Sequence, residues 1–453
     1  MKAEVLRPAC DVFVPGLKVT KPVNFVAEKK LFGSVATPIL EALTTSRTKL
    51  LCECRDFNKA SQINQWTTAK VSFQMDTYLQ SVSDYLSLLK GFTEQPTTVS
   101  TKEDKNDEED KKDNEDDDKK EEGKPLLAEK PSSSSQDLIP FTCCEWLELM
   151  SSTSVFSINV HHEYAHALLA SGCICLQRTS DLVSIIQASR DFEYDEPKLK
   201  EAYNLLLRLA GLFDALLSYL GLSSSSSGAE LSEESLQQWR AQQTNAANAN
   251  VQSLNRIKEF EQGNVVQALQ KMALAQAQEL VVLRGVTKES VDWVLMGKLS
   301  RNISQRYSEL KSSRHPFQAW CSWKAEYYGG LSFYYQGVAE WVKNNGASCA
   351  QAIAQYQAAK DVLDKLSNKE VQRSKEIVQR DLDIATARNN TIYHEKIPVP
   401  FAPLDPVSLV NAQAFQTVEC HTLWKETPNA LNTRKAPPVP QADESTGCSC
   451  TIS

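Results

Sequence analysis

Met272-Ala273-Leu274-Ala275-Gln276-Ala277-Gln278-Glu279-Leu280-Val281-Val282-Leu283-Arg284 is the stretch on which the fold turns. Val265, Leu269, Met272, Gln276, Leu280 and Leu283 recur at three- and four-residue steps, the spacing of one helix face. Ala273, Ala275 and Ala277 keep that helix slim, so neighbouring helices can approach closely.

The same spacing continues outward in both directions. Upstream it runs through Phe73, Tyr78, Val82, Tyr85, Leu86 and Leu89, and again through Leu205, Leu206, Leu209, Leu212, Phe213, Leu216, Leu217 and Leu220. Downstream, residues 323–341 carry many aromatics, and residues 352–366 combine small side chains with periodic apolar ones. Strand signals are scarce and lie at the front, in residues 12–14 and 23–26. The expectation is a mainly α chain of antiparallel helix pairs like tetratricopeptide hairpins, without a strict repeat of about 34 residues.

The chain has 453 residues, 42% of them hydrophobic, enough for a real core. Its net charge of −8 is uneven: residues 101–130 hold fourteen acidic residues against eight lysines and carry −6 of it. No basic patch is visible along the chain, which argues against nucleic-acid binding. The run 101–135 is too polar to offset its ordering entropy, so it reads as a disordered acidic and serine-rich insertion; its functional alternative is an acidic docking strip. Residues 223–228 form a second break, and a third begins near Pro398. Residues 1–16 lack a signal-peptide pattern, and no stretch approaches the about 18 to 20 apolar residues that span a bilayer, so a cytosolic chain with at most peripheral membrane contact is expected. Twelve cysteines then read as free thiols, mostly small core residues; none forms a zinc-ribbon pair, and no motif demands a cofactor.

Cys450-Thr451-Ile452-Ser453 reads as a C-a-a-X box, in which the terminal serine favours farnesyl transfer by a prenyltransferase. Prolines from 403 to 440 keep the approach to it open. One lipid chain binds only marginally, so a second signal is expected: Cys448 is a candidate for palmitoylation, whereas Arg434 and Lys435 are too few for a basic patch.

His162-Glu163-Tyr164-Ala165-His166 matches H-E-x-x-H, which on a helix places two zinc-binding histidines on one face with a glutamate base. Glu193, Glu196 and Glu201 are the candidate third ligands. The competing reading is a chance match inside an amphipathic helix over residues 155–176.

Met272 to Glu279 and the residues up to Arg284 resemble the signature helix of the BRO-one domain, found in Alix-like endosomal adaptors. Asn389-Asn390-Thr391-Ile392-Tyr393-His394-Glu395-Lys396-Ile397-Pro398 resembles the family's second landmark, N-x-x-I-Y-x-x-x-(V/I)-P, continued by Leu404-Asp405-Pro406 and Ser408-Leu409-Val410. The resemblance spans residues 24–412 and leaves 1–23 as an N-terminal extension and 413–453 as a flexible tail. The acidic insertion and the histidine-rich helix at His161 depart from the family pattern. The resemblance implies a curved, boomerang-shaped helical domain with a tetratricopeptide-like core and a small N-terminal β element. It implies binding without catalysis: an apolar patch receives the C-terminal amphipathic helix of the filament-forming ESCRT-III subunit, at an endosomal membrane or the nuclear envelope.

Carried over by position, that patch comprises Val281, Leu295, Leu299 and Leu409, with Arg284 as a cationic neighbour for the helix's acidic residues. From spacing alone the four apolar residues would be core; Leu295 and Leu299 share one helix face. On the patch reading, Leu299→Asp abolishes helix binding and leaves the domain folded. Two rivals stand beside this reading: a zinc protease using His162, Glu163 and His166, and a helical scaffold for another partner.

Overall fold

The structure, a computed structural model, describes residues 6–28, 34–62, 74–92, 140–149, 154–189, 192–220, 264–311 and 316–427. The acidic run, the serine run, Cys448 and Cys450 lie outside the described residues.

Nine helices of some length follow one another among the described residues: α1 (Thr37–Gln62), α2 (Met75–Lys90), α3 (Val160–Ala188), α4 (Phe192–Tyr219), α5 (Asn264–Val286), α6 (Trp293–Lys311), α7 (Gln318–Trp341), α8 (Gly346–Leu363) and α9 (Gln372–Arg388). A short α10 (Leu423–Glu426) closes the described chain. Each long helix packs on its neighbours in sequence, α1 on α2, α2 on α3 and so on to α8 on α9. This is the quasi-one-dimensional arrangement expected of stacked helix hairpins. Ala273, Ala275 and Ala277 are fully buried, as close packing around α5 requires. Among the described residues no helix is long and apolar enough to cross a membrane. Six of the nine described cysteines are buried.

The β element is a hairpin, β1 (Pro140–Leu147) and β2 (Ser154–Asn159), paired antiparallel with Trp146 opposite Val155. It therefore lies between α2 and α3, and residues 12–14 and 23–26 form no strand. The frontal segment instead meets the hairpin at one bridge, Thr20 to Trp146, flanked by Leu147 N–H to Val19 O at 2.8 Å. Because β2 occupies residues 154–159, the helix expected over 155–176 starts five residues late, at Val160.

Two boundary expectations also change. Residues 6–23 are part of the core rather than an extension: Leu6 and Cys10 are buried, the Ala9 N–H donates to Tyr327 at 2.9 Å, and Lys324 donates to the Ala9 carbonyl at 3.0 Å. Residues 413–427 are docked rather than free. After α9, a π-turn at Asn389–Tyr393 reverses the chain, with His394 in the left-handed region at φ 54°. The Asn389 side chain secures that turn by bonding both the carbonyl and the N–H of Glu395, at 2.8 and 3.2 Å. The chain then runs back as an extended strap over α6, α5, α4 and α2. Its contacts include Val407 N–H to Lys298 O, Gln413 N–H to Leu207 O at 3.0 Å and His421 N–H to Ser87 O at 3.1 Å. Trp424 ends it, edge-on to Phe92 at 4.7 Å and donating to the Leu88 carbonyl at 3.0 Å.

Where the strap crosses α4, a Cβ on Gly211 would lie 1.7 Å from the Gln413 carbonyl oxygen. In an ordinary helix interior Gly→Ala stabilises by about 0.5–1 kcal/mol. Gly211→Ala is expected to do the opposite, lowering the midpoint in urea and exposing the 404–427 strap to limited proteolysis. A rise in stability with an unchanged digest would mean that the strap does not seat on α4.

Candidate functional site

A groove with a cavity volume of about 540 Å³ opens between α4, α5 and α6. Leu199 and Tyr203 line it from α4, Leu280 and Val281 from α5, and Leu295, Met296 and Leu299 from α6. Leu409, on the strap, supplies a further wall. Gly285 lets α6 come close to the end of α5, since a Cβ there would meet the Met296 sulfur at 2.4 Å. Asp292 starts α6 by accepting the Leu295 N–H at 2.9 Å. Leu409 is held in place by one fully buried side chain: Gln278 donates to the Val407 carbonyl at 3.0 Å and accepts the Leu409 N–H at 3.1 Å.

The five carried-over residues all border this groove, in different ways. Val281 and Leu295 are half-buried, Leu409 is 52% exposed, and Arg284 sits at the rim. Leu299 is fully buried and forms part of the floor. Aspartate at 299 would enter the core, so Leu299→Asp cannot separate binding from folding as expected from the sequence. Glu196, Lys200, Tyr203, Lys288 and Met296 also line the groove and were not expected to. Glu196, Lys200 and Tyr203 follow the i, i+4, i+7 spacing of one helix face, a signal open to reading.

The H-E-x-x-H residues are elsewhere, inside the core. Glu163 is fully buried and ion-paired with Arg47. It also accepts from Tyr85 (2.8 Å), Trp146 (2.8 Å) and Ser157 (2.7 Å). Burial pushes its carboxyl up, but the Arg47 guanidinium and these three donors outweigh that and leave it below the ordinary glutamate value. His162 and His166 are buried, and His166 stacks on Trp146 at 5.4 Å. Among the described residues no cluster of three His, Cys, Asp or Glu is placed to hold a metal. A carboxylate committed to an arginine and three donors is a structural ion pair rather than a base for zinc-bound water.

Residues 130–436 match the family described as BRO1-like domain. The chain belongs to the BRO1-like domain family. The match runs past residue 412 and takes in the strap. Solved structures share the fold at low identity. An ALIX BRO1–CHMP4C complex has TM-score 0.55 and 14% identity, covering 90% of this chain and 96% of that one. ALIX in complex with the SIVmac239 PYKEVTEDL late domain has TM-score 0.57 and 14% identity, covering 92% of this chain and 51% of that longer one. A Bro1 domain described in connection with endosomal targeting has TM-score 0.51 and 13% identity, covering 94% and 96%. No curated protein sequence matches the chain significantly. In this BRO1-like domain the signature helix is α5, whose Gln278 seats the strap while Val281 and Arg284 face the groove.

Glu163→Gln is expected to cost about 3–5 kcal/mol in urea unfolding, because it strands the buried Arg47 charge. A catalytic base would be replaced at little cost in stability. Burial, with Lys18, His162 and Arg47 adding to it, holds His166 well below the usual imidazole value. The unfolded chain therefore takes up a proton that the folded one refuses as pH falls below about 6.5. Stability should decline from pH 7 to 5, and His166→Phe, which preserves stacking on Trp146, should flatten that decline. The Glu163 contribution has the same sign but a lower window: present above the unfolded value of about 4.3, it is lost as pH falls through the depressed folded value.

Proposed function

We propose that this chain is a non-enzymatic adaptor whose α4–α6 groove receives the C-terminal amphipathic helix of an ESCRT-III filament subunit, and that a prenyl group on Cys450 holds it at a membrane surface. The convergence of Val281, Arg284, Leu295, Leu299 and Leu409 on one apolar groove carries this reading. An amphipathic helix laid in such a groove places anchors at i, i+3, i+4 and i+7 on the leucines and methionine, and its polar flank meets the cationic rim. Lys200, Arg284 and Lys288 supply that rim. A BRO1 domain of the same fold has been solved in complex with CHMP4C, a chemically suitable partner class.

Cys450 within Cys450-Thr451-Ile452-Ser453 is the substrate of the prenyltransferase in this reading, and Cys448 is the site for a second lipid. A BRO1-like domain followed by a short tail and such a box resembles the layout of Brox. The protein would act as a peripheral component of endosomal membranes or of the nuclear envelope. A single lipid and a modest groove are each weak, but joined on one chain they raise effective concentration at the membrane.

Calorimetry with the C-terminal helix of CHMP4C is expected to show micromolar binding by the wild type. Val281→Asp and Leu409→Asp should each weaken it at least about tenfold, the loss of about 1.4 kcal/mol of apolar contact, with melting unchanged. Wild type that fails to bind would end the groove reading. Incubation with farnesyl diphosphate and farnesyltransferase should add one lipid by mass, and Cys450→Ser should abolish both the addition and flotation with liposomes. An unmodified wild type would remove the anchor from the proposal.

A further inference from the structure

Glu196 and Arg284 meet across the groove, one from α4 and one from α5, with 2.5 Å between Oε1 and the guanidinium. Both border the cavity, and their side chains are 39% and 57% exposed. Lys200 lies one turn beyond Glu196 on α4, and Lys288 lies four residues beyond Arg284. Both lysines are exposed and line the groove, and among the described residues neither pairs with a carboxylate. The lining thus holds three cations and a single anion, and that anion sits on Arg284.

A carboxylate already placed on a half-exposed guanidinium does two things to an incoming acidic side chain. It occupies the donors which that side chain would use, and it repels it at short range. The pair itself is weak, because water competes for both ends, so it can exchange. A helix without acidic residues neither competes with Glu196 nor is repelled by it.

We propose that Glu196 is an internal competitor for Arg284, a specificity-determining residue that damps the preference of the groove for acidic helices. This rests on the groove reading above. Glu196 stands in for a partner carboxylate while the groove is empty and is displaced when one arrives. It keeps engagement reversible, which suits a protein whose hold on a filament subunit is shared with a membrane anchor.

The test is calorimetric titration of the full chain with two probes, the CHMP4C C-terminal helix and the same peptide with its Glu and Asp changed to Gln and Asn. Glu196→Gln is expected to tighten the acidic peptide about fivefold, to steepen its salt dependence and to leave the neutral peptide unchanged. In an Arg284→Gln background the same substitution should give a much smaller gain, and Glu196→Asp should behave like wild type. Thermal melting should not move, which separates the effect from a structural one. If wild type binds the acidic peptide and Glu196→Gln binds it no better, the competitor role is wrong while the groove stands. An equal gain for both peptides would also overturn it, since the effect would then be steric. Binding of neither peptide by either protein would remove the groove and the inference together.

Discussion

Glu163 and Glu279 are both taken fully out of water, and the need to compensate each charge organises the elements around it. Glu163 on α3 draws in Arg47 from α1, Tyr85 from α2, Trp146 from β1 and Ser157 from β2. Glu279 on α5 draws in Lys324 from α7 at 2.8 Å and Tyr307 from α6 at 2.6 Å. The cations need further acceptors, and the N-terminal segment supplies them: Thr20 takes a bond from Arg47, and the Ala9 carbonyl takes one from Lys324. Trp320, Trp323 and Tyr328 surround the Lys324 ammonium at 5.0–5.7 Å with their ring faces. Removing the charged partner in either cluster leaves a bare charge in the core, and removing a neutral one leaves a buried polar atom short of a hydrogen bond, so residues 6–23 belong to the domain for an energetic reason.

This also explains where the sequence was legible. Helices with a three- and four-residue apolar rhythm were open to reading, because burial of one face is a local property of the string. The chain folds the H-E-x-x-H motif into a charge cluster whose cation, Arg47, lies 116 residues upstream and whose donor Tyr85 lies 78 upstream, and no local pattern announces that. The hairpin was missed for a related reason. Its β2 strand adjoins a helix that shares its apolar character, and at Val160 nothing in the string separates the two. Val12, Val14 and Val23 carry β-branched side chains, yet they are partly buried against helices and only Thr20 bridges to a strand.

The groove was half legible. Val281 and Arg284 come from the signature helix and Leu409 from the second landmark, whereas the α4 side offers only the one-face spacing of Glu196, Lys200 and Tyr203, which does not by itself tell a groove from a solvent face. Two turns of α5 join the pieces. Gln278 holds the strap that carries Leu409, Glu279 faces the buried lysine, and Val281 and Arg284 face the groove. Three kinds of contact within two turns require three directions around the helix, which is what 100° per residue provides. Leu299 shows the limit of carrying positions over: it borders the groove, yet its burial is that of a core residue.

The charges of the core and those of the groove rim are separated in this molecule by depth. The charges that secure the fold are 0–2% exposed and held by several hydrogen-bond partners each. The pair at the groove, Arg284 with Glu196, is 57% and 39% exposed and contributes little to folding. A rim built from such weak pairs can exchange partners without disturbing the helices beneath it. The strap extends the same logic. Its hold beside the groove combines a neutral amide, Gln278, the Arg306 guanidinium donating to the Ser408 hydroxyl at 3.0 Å, and close contact at Gly211, so the wall carrying Leu409 is fixed by shape and hydrogen bonds. Rim charge can therefore rearrange while floor and wall keep the geometry of the groove.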